Sequence, residues 1–482
     1  MQVCKGDLWH TAIADAMHGR ITHIPLNLLL WLPYMAKSHA ALRLFSVASV
    51  VFDMAALYKL VNNITDRLSA YMSCLLFISF ACISNQHNLF CAYTLAHQIT
   101  IGLVFLSLDL FIKYYREPQT KHLIYSALLL FAASFIYEAM VVYIVFFAAA
   151  AMINVTGNIF HNLFKILKDL RFHILFMAVF AAAYLFWRFL YPSDYDGAVL
   201  YLKNIPGSLL TIAVYSLGMI PGLPFAALIA SGKLRISEIP SYFSYEWFII
   251  PVLCTITFYI VLPKMKPVKN RPLMYLMCIA GIILPNIPVG LTSKYISWVR
   301  QKSYSYVTSF YSYFFVILLF VLFINGLYHK QKKKKKFVHG VLTAVVFIVS
   351  LACSINNSIF NAKFKEQLAG YTAFENAVSD KYFDNVSENA VVYIPDYSGI
   401  HNSMETTADF AHIYLNDGIT FENDKDKLDF SRPVICMRFD EKTGAMLIGE
   451  IDSDFNASSV YVVGDADPSY LTGDLVNMEN VF

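Results

Sequence analysis

The sequence carries little charge for its length. Only 15% of its 482 residues are Asp, Glu, Lys or Arg, whereas a soluble globular protein carries about 25%. Hydrophobic residues make up 57% of the chain, and the mean hydropathy is +0.52. Apolar runs recur through the first 354 residues, and a run of about 18 or more can cross a bilayer core. This pattern excludes a fully water-soluble fold and predicts a multi-pass membrane protein.

Paired cysteines and metal-binding motifs are also lacking. The eight cysteines are scattered without a CxxC pair, so they give neither a zinc site nor a disulfide framework. The histidines, among them His23, His87 and His97, form no HExxH motif, and we expect them to be solvated or interfacial. We predict no cofactor; a divalent metal is possible but is not indicated by the sequence. We also predict no nucleic-acid partner.

Acidic residues are unevenly distributed along the chain. Residues 355–482 contain 22 acidic and 8 basic residues, and the remainder contains 12 acidic and 29 basic residues. The formal net charge of +3 therefore combines a basic membrane body with an acidic, water-soluble segment long enough for one small domain. We predict two domains, a multi-span part at 1–354 and a soluble part at 355–482.

The candidate spans follow from the apolar runs. They are 42–60, 69–85, 90–112, 122–136, 139–154, 172–190, 246–262, 272–291, 305–328 and 337–354.

Lys and Arg in short loops set the predicted orientation, since cytoplasmic loops are enriched in them. KQKKKKK at 330–336 is the strongest cytoplasmic marker, which we interpret as an anchor near anionic lipid. The basic loops at 113–122 and 264–271 agree with it. The last span then carries the acidic domain to the extracytoplasmic side of the cell membrane. Asp53 and Asp109 fall inside spans, and we expect them to pair or cap internally.

Two apolar stretches fit the bilayer less well. The run 22–36 is short and interrupted by prolines, so we expect an interfacial helix within an external loop at 1–41. Residues 208–230 contain Pro221 and Pro224, which break helices. A re-entrant or interfacial segment is expected there, and a tight pair of crossings is the alternative.

Several short motifs occur in order along residues 7–190. Asp7 is followed by a Gly-Arg pair, HIPL at 23–26, RLFS at 43–46, and FIYEAM at 135–140. This order resembles the polytopic GT-C class of glycosyltransferases, especially the branch with protein O-mannosyltransferases and the lipid A aminoarabinose transferase. The family's adjacent acidic pair is reduced here to one acid, and we expect the family's first helix to lie upstream of Met1. The implied fold is mainly α, a transmembrane bundle of about 10–12 spans with a small C-terminal α/β domain.

The resemblance implies a glycosyltransferase that moves a sugar from a polyprenyl-phosphate donor to an extracytoplasmic glycan, lipid or protein. Such a transfer needs a carboxylate base, cations for the departing phosphate and an apolar groove. Asp7 is the first candidate for the catalytic base and Glu138 the second, followed by Asp15. The alternatives are that Asp7 is merely solvated and that Glu138 caps a helix or pairs with Arg43 or Arg188.

A basic, aromatic-rich stretch at 293–315 is the candidate phosphate site. Its predicted donors are Lys294, Arg300, Lys302 and Tyr304. The alternative is an aromatic belt with snorkelling cations, which is typical of span ends. The supporting candidates elsewhere in the chain are Asp15, His23, Arg43 and His87.

The acidic C-terminal segment contains short apolar runs bounded by Asp, Asn or Gly, a pattern typical of strands. These runs lie at 390–397, 433–439, 445–451 and 459–465. Helical patterns near 361–380 and 403–416 complete a small α/β or α+β module. We expect it to have a structural or acceptor-binding role.

Three other functions remain open from the sequence. A polysaccharide polymerase or ligase shares the lipid-phosphate donor, but it would typically carry a large external loop that we do not find. A transporter would show an internal repeat and midplane polar groups. A non-catalytic assembly protein would be consistent with the reduced acidic pair.

Overall fold

The computed structural model describes most of the chain and divides it into two units. The described residues are 8–32, 39–83, 89–90, 93, 95–153, 159–193, 197, 199–232, 234–268, 271–301, 303–331, 333–367, 369–395, 415, 418–439, 445–463 and 476–479. Beyond residue 5, one compact unit comprises residues 6–358 and the other residues 359–482.

The membrane unit is built from helices. Those before residue 155 are α1 (Leu8–Ala16), α2 (His23–Trp31), α3 (His39–Ile64), α4 (Arg67–Ser79), α5 (Ala96–Arg116), α6 (Thr120–Ile136) and α7 (Ile144–Ile153). Those that follow are α8 (Ile159–Leu190), α9 (Ile205–Leu217), α10 (Leu223–Ala230), α11 (Glu246–Val261), α12 (Arg271–Ile283), α13 (Asn286–Gly290), α14 (Ser293–Arg300), α15 (Val307–Lys330) and α16 (Lys335–Gln367). Short 3₁₀ segments occupy Glu138–Tyr143, Ile236–Tyr242 and Leu262–Lys264.

Six helices in the described part of the chain are long and apolar enough to cross a membrane. They lie within Ala40–Ile64, Ala96–Arg116, Leu163–Leu190, Glu246–Lys264, Val307–Lys330 and Lys335–Phe364. α5 and α15 are mostly buried among the other helices, whereas the other four bury only about a quarter of their most apolar windows. Apolar surface exposed on that scale is stable in lipid but not in water. The chain is therefore a multi-pass membrane protein.

Aromatic side chains fill the centre of this bundle. Phe77 of α4 stacks on Phe314 of α15 with ring centroids 4.4 Å apart, and Phe105 of α5 meets Phe314 edge-on at 5.3 Å. The Tyr313 hydroxyl donates a hydrogen bond to the Phe77 carbonyl over 2.6 Å. Each such aromatic pair contributes about 0.5–1.5 kcal/mol beyond its buried area. These contacts fix the two most buried spans against their neighbours.

Both acids inside the spans have partners within the bundle, as expected: a backbone N–H for Asp53 and a lysine for Asp109. Asp53 accepts a hydrogen bond from the backbone N–H of Gly102 over 3.0 Å, an approach that needs glycine because a Cβ there would lie 2.4 Å from the carboxylate. Asp109 is fully buried and lies 3.4 Å from Lys59 Nζ. Each contact partly offsets the cost of burying a carboxylate, although Oδ2 of each acid has no hydrogen-bond partner among the described residues.

The helical structure of 208–230 is interrupted near its prolines, as the sequence predicts. α9 ends at Leu217 and α10 begins at Leu223, so 208–230 forms two short helices rather than one span. α2 has nine residues, too few to cross a bilayer. Its position at the membrane surface stays a prediction.

The C-terminal unit contains α17 (Ala369–Ser379) and one sheet. Its strands are β1 (Val391–Tyr393), β2 (Thr420–Glu422), β3 (Val434–Phe439), β4 (Met446–Ile451), β5 (Asn456–Ala457), β6 (Tyr461–Val463) and β7 (Val476–Asn477).

The sheet is mixed in direction. β1 pairs in parallel with β2 and β3, and β3–β4 and β4–β6 are antiparallel. Phe374 and Ala377 of α17 pack with Ile435 and Met437 of β3 in one core of this unit. All four predicted strand runs contain a strand, and the helical pattern at 403–416 lies outside the described residues except for residue 415. The predicted fold class, a mainly α membrane bundle with a small α/β domain, is confirmed.

Candidate functional site

Glu138 lies at a break between two helices. α6 ends at Ile136, Tyr137 is extended, and a 3₁₀ turn begins at Glu138. The acid therefore lies in the first turn of a helical segment, where the helix dipole favours a negative charge. Its side chain is 26% exposed, so it is reachable but largely removed from solvent.

The turn between α1 and α2 supplies the partners of this carboxylate. An Nη2 hydrogen of Arg20 donates to Oε1 of Glu138, and the Thr22 hydroxyl donates to Oε2 over 3.1 Å. Arg20 is only 14% exposed. Neither Arg43 nor Arg188, the partners considered from the sequence, forms this ion pair. The Gly-Arg pair among the resembling motifs was the signal that could have identified Arg20.

Gly19 gives the turn its shape. Its φ is +89°, a backbone conformation that L side chains rarely adopt, and a Cβ there would lie 2.7 Å from Ser193. The preceding end of α1 is fixed to α8, because the Trp187 Nε1–H donates to the Ala16 carbonyl over 2.8 Å. Both constraints determine where the following Arg20 points.

A cavity of about 80 Å³ opens beside this ion pair. It is lined by Arg20, Leu26, His97, Tyr137, Glu138, Ala139, Gly197, Pro288, Val289, Tyr295 and Tyr306. One carboxylate, one guanidinium, one imidazole and three phenols thus converge from distant parts of the chain. Apolar residues form the rest of the wall, a composition typical of ligand sites.

His97 is held rigidly in that wall. Its ring meets Tyr137 edge-on at 4.6 Å and Tyr93 at 5.2 Å, and the residue is only 7% exposed. Among the described residues, its Nδ1 has no hydrogen-bond partner. From the sequence we expect His97 to be solvated or interfacial, because nothing local shows that the distant Tyr137 also encloses its ring.

The predicted phosphate-binding stretch borders the cavity in part. Tyr295 of α14 lines it, and its hydroxyl donates to that of Tyr306 over 2.9 Å. The neighbouring Lys294 lies with Nζ 5.0 Å from the centre of the Trp298 ring. Among the other predicted donors, Arg300 and Tyr304 are exposed and do not line the cavity. Lys302 lies outside the described residues.

The remaining predicted residues are distributed as follows. Asp15 of α1 accepts a hydrogen bond from Asn27 Nδ2 over 2.6 Å, which ties α1 to α2. Arg43 is exposed on α3 and does not line the cavity. Asp7 and His87 lie outside the described residues.

Two titratable groups near the turn have shifted pKa values. Burial alone would lower the pKa of the Arg20 guanidinium, but the Glu138 carboxylate and the neighbouring tyrosine hydroxyls together raise that pKa above its ordinary value. Burial, reinforced by Arg20, lowers the pKa of His23 from 6.5 to about 4. At neutral pH the turn between α1 and α2 therefore carries a charged Arg20, and His23 at the start of α2 is uncharged.

In the described part of the chain, no group of three or more His, Cys, Asp or Glu side chains could hold a metal ion. The residues that line the cavity are suited to binding a small anion and to transferring a proton.

Comparisons with known proteins found one kind of likeness. No protein-family model matches the chain, and no curated protein matches its sequence. A solved structure that matches is the crystal structure of ArnT from Cupriavidus metallidurans bound to undecaprenyl phosphate. It is 11% identical with a TM-score of 0.34, and the match covers 86% of this chain and 82% of that chain. ArnT is a GT-C lipid A aminoarabinose transferase, from the branch that the motif order resembles. At this TM-score the likeness carries no further argument.

Proposed function

We propose that this chain is a membrane glycosyltransferase of the GT-C type. It would move a sugar from a polyprenyl-phosphate donor to an extracytoplasmic acceptor in the cell envelope. The observation that carries the proposal is the cavity where Glu138, Arg20 and His97 meet beside Tyr295 and Tyr306. This set of side chains combines a carboxylate with several hydrogen-bond donors at a boundary between apolar helices.

The proposed step needs one base and one cation. The acceptor hydroxyl oxygen attacks the anomeric carbon, and its proton passes to the Glu138 carboxylate. The bond from that carbon to the phosphate oxygen breaks, and its electron pair leaves with the polyprenyl phosphate. Arg20 is the nearest cation that could stabilise this departing charge, because its guanidinium lines the same cavity.

Two predicted elements complete the proposal. Lys294, on the same helix as Tyr295, would attract the donor phosphate toward the cavity, with Arg300, Lys302 and Tyr304 as further predicted contacts. The apolar helix surfaces around the site would hold the polyprenyl chain in the bilayer. The predicted positive-inside orientation places the acceptor and the C-terminal domain on the extracytoplasmic side.

Asp7 stays an alternative base from the family resemblance. It lies outside the described residues, whereas Glu138 has a defined geometry. The two candidates can be separated by replacing each acid with its amide, since an amide keeps the size of the side chain and loses the basic oxygen.

The test is a transfer assay with the purified protein and a panel of polyprenyl-phosphate hexoses. Release of polyprenyl phosphate and incorporation of sugar into envelope acceptors are both measured. Loss of a general base typically costs 10²–10⁴-fold, so Glu138→Gln should reduce turnover by about 100-fold or more. Glu246→Gln, at an exposed acid that begins α11, is the matched control and should retain full activity.

Two results would contradict the proposal. Full activity of Glu138→Gln together with a large loss in Asp7→Asn would move the base to Asp7. Absence of transfer from every donor, in a folded wild-type protein supplied with envelope acceptors, would remove the glycosyltransferase assignment itself.

A further inference from the structure

The guanidinium of Arg20 is only partly engaged. Nη2 contacts Glu138, whereas Nε is buried and has no hydrogen-bond partner among the described residues. In arginine, the Nε and Nη2 hydrogens lie on the same edge of the planar group, and that edge binds a phosphate through two parallel hydrogen bonds. A phosphate bound in this way would need the nitrogen that Glu138 now uses.

Glu138 is held by the same contact. A carboxylate paired with a guanidinium is a weaker base than a free one, because the nearby positive charge stabilises its ionised form. Thr22 donates to the other carboxylate oxygen over 3.1 Å and does not depend on Arg20. If Arg20 turned to another anion, Thr22 would still orient Glu138 at the cavity wall.

We propose that the phosphate of the lipid-linked donor displaces Glu138 from Arg20, so that donor binding itself releases the catalytic carboxylate. The phosphate would take the Nε–Nη2 edge, and Glu138 would become a competent base only when the donor is bound. This inference rests on the proposed function and adds its regulation, because an empty site would hold the base in its weaker form. Wasteful proton transfer without donor would thereby be suppressed.

The geometry favours exchange over simple addition. Arg20 and Glu138 both line the cavity, so an entering anion approaches both members of the pair. A phosphate added beside an intact pair would reach only the Nε hydrogen of this edge, because Glu138 occupies Nη2, and would lose the second of the two parallel hydrogen bonds. His97 and Tyr295 line the same space and could hold the remaining phosphate oxygens.

Equilibrium binding tests the exchange without requiring any sugar or acceptor. Undecaprenyl phosphate and inorganic phosphate are titrated separately into the wild-type protein and its variants in detergent micelles. If Glu138 competes for Arg20, Glu138→Gln should bind undecaprenyl phosphate about fivefold more tightly, the equivalent of a pair worth about 1 kcal/mol. Arg20→Gln should lose about tenfold or more, and Arg20→Lys should fall between because it keeps the charge without the two-point edge.

A second variant keeps the test decisive if Glu138→Gln folds poorly. Glu138→Asp retains the charge but shortens the side chain, so it should also bind more tightly than wild type, by less than the amide variant. Inorganic phosphate tests whether the site recognises the phosphate group alone. If it does, the affinities of the variants should rank in the same order for both ligands. A ranking seen only with undecaprenyl phosphate would mean that the lipid chain is needed to bring the phosphate to Arg20.

Weaker or unchanged binding of undecaprenyl phosphate in folded Glu138 variants would overturn the exchange, because Glu138 would then position Arg20 or act independently of it. The proposed function could still stand, since transfer would be lost in Glu138→Gln for lack of a base. Conversely, tighter binding without any sugar transfer would support the exchange and count against the transferase.

Discussion

The ion pair between Arg20 and Glu138 should contribute measurably to stability. The two side chains are 14% and 26% exposed, so the pair lies between a surface pair and a fully buried one. Surface pairs contribute about 0–1 kcal/mol, whereas removing one member of a buried pair costs about 3–5 kcal/mol. We therefore expect Arg20→Gln and Glu138→Gln each to lower the free energy of unfolding by about 2 kcal/mol. The double variant should lose less than the sum of the two, with a coupling of about 1–2 kcal/mol.

The coupling can be measured with four proteins: the wild type, both single variants and the double variant. Each is unfolded reversibly in mixed micelles by a denaturing detergent, and the free energies are compared in a double-mutant cycle. The control cycle uses Lys113 and Glu117, an exposed pair one helical turn apart with 3.6 Å between its charged atoms. That pair should show a coupling of about 0.3–0.5 kcal/mol. A coupling for Arg20 and Glu138 no larger than the control would refute the view that this pair holds the turn to α6.

Two further predictions concern the same turn. Gly19→Ala should cost about 1–3 kcal/mol of stability and reduce transfer, since it adds backbone strain and a contact with Ser193. Gly222 also has a positive φ, but a Cβ there would meet nothing within 4 Å. A smaller loss of stability in Gly222→Ala than in Gly19→Ala would show that the contact with Ser193 contributes to the loss, and equal losses would show that it does not. Because the folded pKa of His23 is about 4, below the 6.5 of the unfolded chain, the unfolded state binds more protons between these values. Stability should therefore fall by about 2 kcal/mol as the pH drops from 7 to 4.5, and His23→Gln should lose this part of the pH dependence; an unchanged pH profile in that variant would contradict the assignment.

The long elements could be predicted because their signals are local. The apolar run before KQKKKKK and the run after it correspond to α15 and α16, since hydrophobic length alone determines which segments can span a bilayer. VVY and VICMRF became β1 and β3 because short β-branched or apolar runs between turn residues favour strands. The parallel pairing of β1 with both β2 and β3 had no such signal, because strand partners are chosen by contacts distant in sequence.

The candidate site likewise combines residues that a local sequence signal predicts with residues that no local signal predicts. Glu138 could be found from the sequence because an acid at the end of an apolar span needs a partner or a task. Its partner could not, since Arg20 lies 118 residues away and Arg43 and Arg188 were equally plausible by position. His97 was missed for a related reason. Its environment depends on Tyr137, which only the packing of α5 against the end of α6 brings to its ring.

The charge balance of the cavity links the ion pair to the predicted basic stretch. Among the described residues that line it, Arg20 brings a formal positive charge and Glu138 a negative one, so the two cancel. A lipid phosphate entering such a space gains little net attraction unless the pair separates or another cation approaches. Lys294 precedes Tyr295 on α14, and Tyr295 lines the cavity. In the proposed exchange, Lys294 would attract the phosphate first, and the phosphate would then replace the Glu138 carboxylate as the anion bound to Arg20.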